Sequence, residues 1–107
     1  MKKIRIAVVS TDGVHVNDHF GMAKRFLIYD MEQDLTLVAD RPAEKLSVGD
    51  PNHPFDADKF ERVSDVIKDC ARVYITRIGD GPAAKLKANG IDAIVFDGPI
   101  DKIPLIT

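Results

Sequence analysis

Ile4-Arg5-Ile6-Ala7-Val8-Val9 is rich in β-branched residues and almost continuously apolar after its first positions, the pattern of a strand covered on both faces. We read it as the central strand of an α/β sheet, and the rest of the chain is placed outward from it. Downstream, Arg25-Phe26-Leu27-Ile28-Tyr29-Asp30 and Leu35-Thr36-Leu37-Val38-Ala39-Asp40 also read as strands. Met31 to Asp34 between them is short enough for a hairpin, so these two pair antiparallel. From Arg41 to Phe55, Pro42, Gly49, Pro51 and Pro54 remove donors and fix φ, marking a surface connection.

Asp56 is a suitable N-cap for a helix beginning at Ala57, with Phe55 and Phe60 placed as a hydrophobic staple. Phe60, Val63, Val66, Ile67 and Cys70 recur at helical spacing while Glu61, Arg62, Asp65, Lys68 and Asp69 take the other faces, which predicts an amphipathic helix over 57–70. Ala71 to Thr76 reads as a strand and Gly79-Asp80-Gly81 as a turn. Pro82 then opens a second helix at N1, and Gly90 ends it at the left-handed C′ position. Ile91 to Phe96 is the fifth strand, and the tail from Gly98 to Thr107 has no assignment.

The element order is β-β-β-α-β-α-β. Right-handed crossovers predict a mixed five-stranded sheet of order 3-2-1-4-5, counting strands along the chain, with helices packed on it. That is a ribonuclease H-like α/β arrangement.

The 107 residues, 45% hydrophobic and 30% charged, suit a single domain over 1–107. The net charge of −2, with acids and bases interspersed, supplies no basic field for phosphates, so nucleic acid is not an expected partner. One cysteine, Cys70, permits no internal disulfide. The apolar run after Met1-Lys2-Lys3 is too short for a signal-peptide core or a membrane span, so a cytoplasmic protein without a membrane partner is expected.

Ligands of open α/β sheets bind beyond the carboxyl ends of the parallel strands. Two loops are predicted to meet there: Ser10 to Gly21, and Ile78-Gly79-Asp80-Gly81 at the start of the second helix, where free amides and the helix dipole favour an anion. In the first loop, His19 is a candidate metal ligand. Asp18 is placed to orient its imidazole, Phe20 to form an apolar wall, and Gly21 to allow close backbone approach. By residue type alone, a single loop histidine is more often a solvated or capping residue. His15 precedes His19 by four residues, but Val14 and Val16 look extended, which points the two side chains differently. His53 fits a turn role within Pro51-Asn52-His53-Pro54, and Cys70 fits the core better than a thiolate ligand.

Three histidines and one cysteine cannot build a cysteine-rich zinc site or a four-cysteine cubane site. Such a donor set suits a preassembled anionic cofactor gripped by one or two ligands and backbone donors. A two-metal nuclease is disfavoured because the central strand carries no carboxylate, leaving Asp12, Asp18 and Asp30 as the nearest acids. No Gly-x-x-x-x-Gly-Lys-Ser/Thr loop or Gly-x-Ser-x-Gly elbow is present.

Ile6-Ala7-Val8, Asp18-His19-Phe20-Gly21, Phe26 to Asp30, Asp69 to Val73, Ile78 to Pro82, Leu86 and Gly90-Ile91 recur in an order and spacing that resemble the dinitrogenase iron–molybdenum cofactor biosynthesis family, the group of NifX, NafY and the C-terminal domain of NifB. The resemblance covers nearly the whole chain. It implies a ribonuclease H-like domain without nuclease activity that binds or carries iron–molybdenum cofactor, its iron–sulfur precursor or another molybdenum-containing cluster, with His19 as ligand, and we expect a non-enzymatic carrier. It also implies cofactor donor and acceptor proteins as partners, and leaves a homodimer open. NifB-type domains tend to carry a cysteine near a glycine after the third strand, where this chain has Leu46-Ser47-Val48-Gly49. The alternative reading is a regulatory or protein-interaction module that takes a small anion or a partner in the same crevice.

Overall fold

The computed structural model describes residues 3–43 and 57–105. The expected Asp56 cap, the Phe55 half of the staple, His53 and the Leu46 to Gly49 stretch lie outside the described residues.

The strands are β1 (Ile4–Val8), β2 (His15–Val16), β3 (Arg25–Met31), β4 (Leu35–Pro42), β5 (Arg72–Ile75), β6 (Asp92–Val95) and β7 (Gly98–Pro99); the helices are α1 (Ala57–Val66) and α2 (Asp80–Ala88). Five strands form one mixed sheet in the order β4-β3-β1-β5-β6. β1 runs antiparallel to β3, from Ile4 opposite Met31 to Val8 opposite Leu27, and parallel to β5. β3 and β4 form the antiparallel pair, interrupted by a bulge where Ile28 faces Ala39 and Tyr29 faces Leu37. Val38 is the extra residue and points into solvent. β5 and β6 are parallel.

The central position of β1 follows from its composition. Ile6, Ala7 and Val8 have no exposed surface because both sheet faces are covered. One face carries Ala7, Val9, Phe26, Ile28, Val73 and Ile75 against Phe60, Val63 and Ile67 of the α1 segment and Leu86 of α2. The other carries Ile6, Val8, Leu27, Met31 and Tyr74 beneath Val16, Ile100 and Ile103. That second cover is a feature the sequence reading left unassigned. The tail forms β7, which pairs antiparallel with β2, and then a 3-10 turn over Ile100–Lys102.

Four expected boundaries shift, each for a local reason. Arg41 and Pro42 extend β4, where a missing N–H is tolerated because β4 is an edge strand. α1 stops at Val66 rather than Cys70, because the Arg41 guanidinium donates to the Val66 carbonyl at 2.8 Å and the Cys70 N–H turns to Ile67 instead at 2.9 Å. α2 starts at Asp80 with Gly79 as N-cap, so Pro82 is the third helical residue and not N1. Its missing N–H still falls among the orphan donors of the first turn. Finally, the Ser10 to Gly21 segment, read as loop throughout, contains β2 and a 3-10 turn over Phe20–Met22.

The end of α2 is as its residues suggest. Gly90 takes φ +84°, its N–H bonds to Lys87 at 3.0 Å, and the Ile91 N–H reaches back to Leu86 at 2.9 Å, a Schellman arrangement.

Candidate functional site

The chain leaves β1 through Val9 and the buried Ser10, then folds around one carboxylate. Asp12 Oδ1 accepts from the Ser10 hydroxyl at 3.1 Å, the Val14 N–H at 2.8 Å and the His15 N–H at 2.9 Å, while Oδ2 meets His15 Nδ1 at 2.8 Å. These bonds, led by the two backbone donors, hold the Asp12 carboxyl well below the usual carboxylate range. Gly13 at φ +76° completes the turn, a conformation that L side chains resist. Thr11 and Asn17 then lock the loop neck: the Thr11 N–H donates to Asn17 Oδ1 and Asn17 Nδ2 donates to Thr11 Oγ1, both at 2.9 Å.

The next residues are fastened to the end of β5. The Thr76 N–H donates to the Asp18 carbonyl at 3.0 Å and the Phe20 N–H to the Arg77 carbonyl at 2.9 Å, making a parallel bridge between His19 and Arg77. The His19 loop therefore lies two residues ahead of Gly79, at the carboxyl ends of adjacent parallel strands. Extended backbone at His19, φ −85° and ψ 152°, sends successive side chains opposite ways. His19 is exposed, whereas Phe20 is 1% exposed and packs on Phe26 and Phe60 with ring centroids 6.1 Å away in each case. Phe20 is therefore not the apolar wall of a site but its anchor in the core.

Asp18 also departs from its expected role. Its Oδ1 accepts the His19 backbone N–H at 2.8 Å, so it shapes the loop backbone. The histidine whose ring an aspartate holds is His15. Gly21 lies in the 3-10 turn, where the Met22 N–H returns to His19 at 3.1 Å. Gly79, Asp80 and Gly81 are exposed at the start of α2, where the N-cap glycine supplies no side-chain bond to the first-turn amides; a Cβ at Gly81 would meet nothing within 4 Å. The first turn of α2 thus presents bare amides beside open space.

Lys24 and Arg25 were not singled out in the sequence. The antiparallel register of β3 on β1 carries the start of β3 past the end of β1, so both line a crevice of about 420 Å³ whose other walls are Val9, Ser10, Thr11, Asp18 and Met22. Arg25 pairs with Asp40 at 3.3 Å. The visible signal was their place just after the histidine loop, but their meaning depends on strand register.

Other candidates fall elsewhere. Cys70 is buried, and burial first, with the neighbouring Asp69 charge adding, pushes its thiol up to about 12, which disqualifies it as a ready thiolate. Asp30 pairs with Arg5 at 2.9 Å. Asp12, Asp18 and Asp30 thus have separate engagements, and among the described residues no group of three or more His, Cys, Asp and Glu converges on a point. No helix among the described residues is long and apolar enough to cross a membrane.

Fold and loop define a small mixed α/β domain that exposes His19 next to Asp18, a wall residue of the crevice. The chain belongs to the dinitrogenase iron-molybdenum cofactor family, whose profile it matches over residues 2–103. It is 35% identical over 100 residues to the FeMo cofactor biosynthesis protein NifB of Chlorobaculum tepidum, covering 91% of this chain and 22% of that protein. With Protein NifX of Herbaspirillum seropedicae the identity is 28% over 94 residues, covering 87% and 62%. The chain therefore spans about a fifth of the length of its NifB relative. An NMR structure of a NifB-type protein from Thermotoga superposes with a TM-score of 0.53 at 26% identity, covering 90% of this chain and 78% of the other.

Proposed function

We propose that this chain is a non-enzymatic domain of ribonuclease H-like fold that binds and carries a metal cluster, the iron–molybdenum cofactor, its iron–sulfur precursor or a related molybdenum cluster, between donor and acceptor proteins of cofactor biosynthesis. The observation that carries the reading is the His19 loop. Its backbone is bonded to the end of β5, its neighbour Phe20 is sunk in the core, and His19 itself is exposed.

The donor set suits that cargo. A bare metal ion needs several protein ligands, and none of the described clusters supplies them. A preassembled cluster brings its own sulfides and needs only an imidazole or two to hold it, with amides at the start of α2 and the Lys24 and Arg25 charges opposing its negative charge. Weak, exposed attachment also suits a cargo that must be passed on.

The test is an anaerobic absorbance titration of isolated iron–molybdenum cofactor into wild type and His19→Ala. Loss of a metal ligand is expected to weaken binding by roughly tenfold or more. Equal binding by the two proteins removes His19 from the account. Metal analysis of the anaerobically purified native protein separates cluster carriage from a module that holds only a small anion or a protein.

A further inference from the structure

We infer that His15 is a second imidazole ligand for the cluster, held ready by Asp12. The inference rests on the cluster-carriage reading and adds a ligand to it: His15 stands in β2, four residues before His19 on the same loop.

The first observation is a division of labour between the two oxygens of Asp12. Oδ1 alone takes the donors that shape the turn, the Ser10 hydroxyl and the Val14 and His15 amides. Oδ2 is left for the His15 ring, which it meets at 2.8 Å. The ring contact is therefore not needed to close the turn, and a pair whose side chains are 47% and 43% exposed adds little to stability. What the contact does is fix the imidazole. A carboxylate only accepts, so the Nδ1 it meets carries the proton, and the lone pair of the neutral ring sits on Nε2. Carboxylate, protonated Nδ1 and unprotonated Nε2 is the arrangement in which metal-binding histidines are held.

The second observation is that this ring stands on fixed backbone. His15 lies opposite Pro99 in the β2–β7 pair, the Val14 carbonyl before it accepts the Ile100 N–H at 2.8 Å, and Val16 after it is fully buried in the second face of the core. Towards His19 the chain is tied again at Asn17, whose N–H donates to the Val9 carbonyl and whose side chain is bonded to Thr11. Exposure alternates along the stretch: His15, Asn17 and His19 are exposed, Val16 and Phe20 buried. Two exposed histidines on one short, pinned segment lower the ordering cost of binding.

The third observation is the donor count. A bare structural ion takes about four protein ligands, and among the described residues no group of three or more His, Cys, Asp and Glu supplies them. Two imidazoles are too few for such an ion and enough for a cluster that brings its own sulfides.

The probe is isolated iron–molybdenum cofactor, titrated anaerobically into the full chain and followed by absorbance. His15→Ala is expected to weaken binding about tenfold, with the amide dispersion of the folded protein retained because His15 is exposed. Asp12→Asn separates coordination from the mere presence of the ring. Its amide oxygen still serves the turn, but its NH₂ donates to Nδ1, which moves the ring proton to Nε2 and blocks the ligand. Its binding should weaken as much as that of His15→Ala. A second readout is the electron spin-echo modulation that imidazole nitrogens impose on the bound cofactor. His19→Ala, with protein in excess, should keep such a coupling, and the His15→Ala/His19→Ala double variant should lose it. Wild-type affinity in His15→Ala or Asp12→Asn, with His19→Ala impaired, overturns the inference and leaves carriage by His19 standing, as does the absence of any imidazole coupling in His19→Ala. Failure of the wild type to bind the cofactor overturns both.

Discussion

His19 and Phe20 are sequence neighbours with opposite fates, and the loop depends on both. Phe20, wedged between Phe26 and Phe60, holds the histidine loop to the core. Phe20→Ala should cost about 3–5 kcal/mol, read as a lowered melting temperature, with accelerated amide exchange around His19. A change under about 1 kcal/mol contradicts the anchoring role. The motif was visible in the sequence, but the division of labour within it was not. It depends on the extended backbone at His19, which the bridge to Arg77 imposes from the far end of the chain. Cys70 behaves as its place on the apolar stripe suggests. With the thiol raised from 9.0 to about 12 by burial, the native protein at pH 9 should alkylate with iodoacetamide far more slowly than the urea-unfolded chain. The linked stability is intact below pH 9 and is lost as pH rises towards 12, because only the unfolded thiol ionises there.

Between elements, one ion network joins the end of α1 to three strands. Asp69 accepts from Arg41 at 2.7 and 3.0 Å and from Arg5 at 3.1 Å, and Arg5 also holds Asp30 at 2.9 Å. The Asp69 carboxyl is kept well below the usual range, by Arg41 first and Arg5 next, against the cost of partial burial. A depressed carboxylate stabilises above its unfolded pKa near 3.8 and loses that contribution as pH falls through the folded value. Asp69→Asn should therefore lower the melting temperature at pH 7 by the equivalent of about 1 kcal/mol, since the carboxylate is 39% exposed and partly screened. The gap to wild type should narrow as pH is lowered towards 3 and as salt is added; a gap independent of pH argues against the network. The periodicity of residues 57–70 showed the helix but not its end, because the stop signal is Arg41, which arrives from β4.

For the molecule as a whole, the sheet is closed by two unlike covers: helices on one face, and the β2–β7 ribbon with Ile100 and Ile103 on the other. Ile103 is 2% exposed, so Ile103→Ala should destabilise by about 2–5 kcal/mol, seen as a lower urea midpoint at unchanged m. A surface-like effect under about 0.5 kcal/mol would mean that the ribbon does not close the second face.

The inventory of elements was legible because it rests on local chemistry. Continuous apolar residues mark β1, alternation and a short connection mark β3 and β4, helical spacing marks α1, and Gly90 marks the end of α2. Family membership was legible too, because the His-Phe-Gly loop and its companion fragments keep their order along the chain. The parts of the site that come from distant residues were not. Lys24 and Arg25 reach the crevice only through the antiparallel register of β3 on β1. His19 faces outward only because Thr76 and Arg77 bond to its loop, and the tail becomes a sheet cover only by pairing with β2. Short-range patterns encode backbone preference and burial; which side chains share a crevice is set by contacts between segments tens of residues apart.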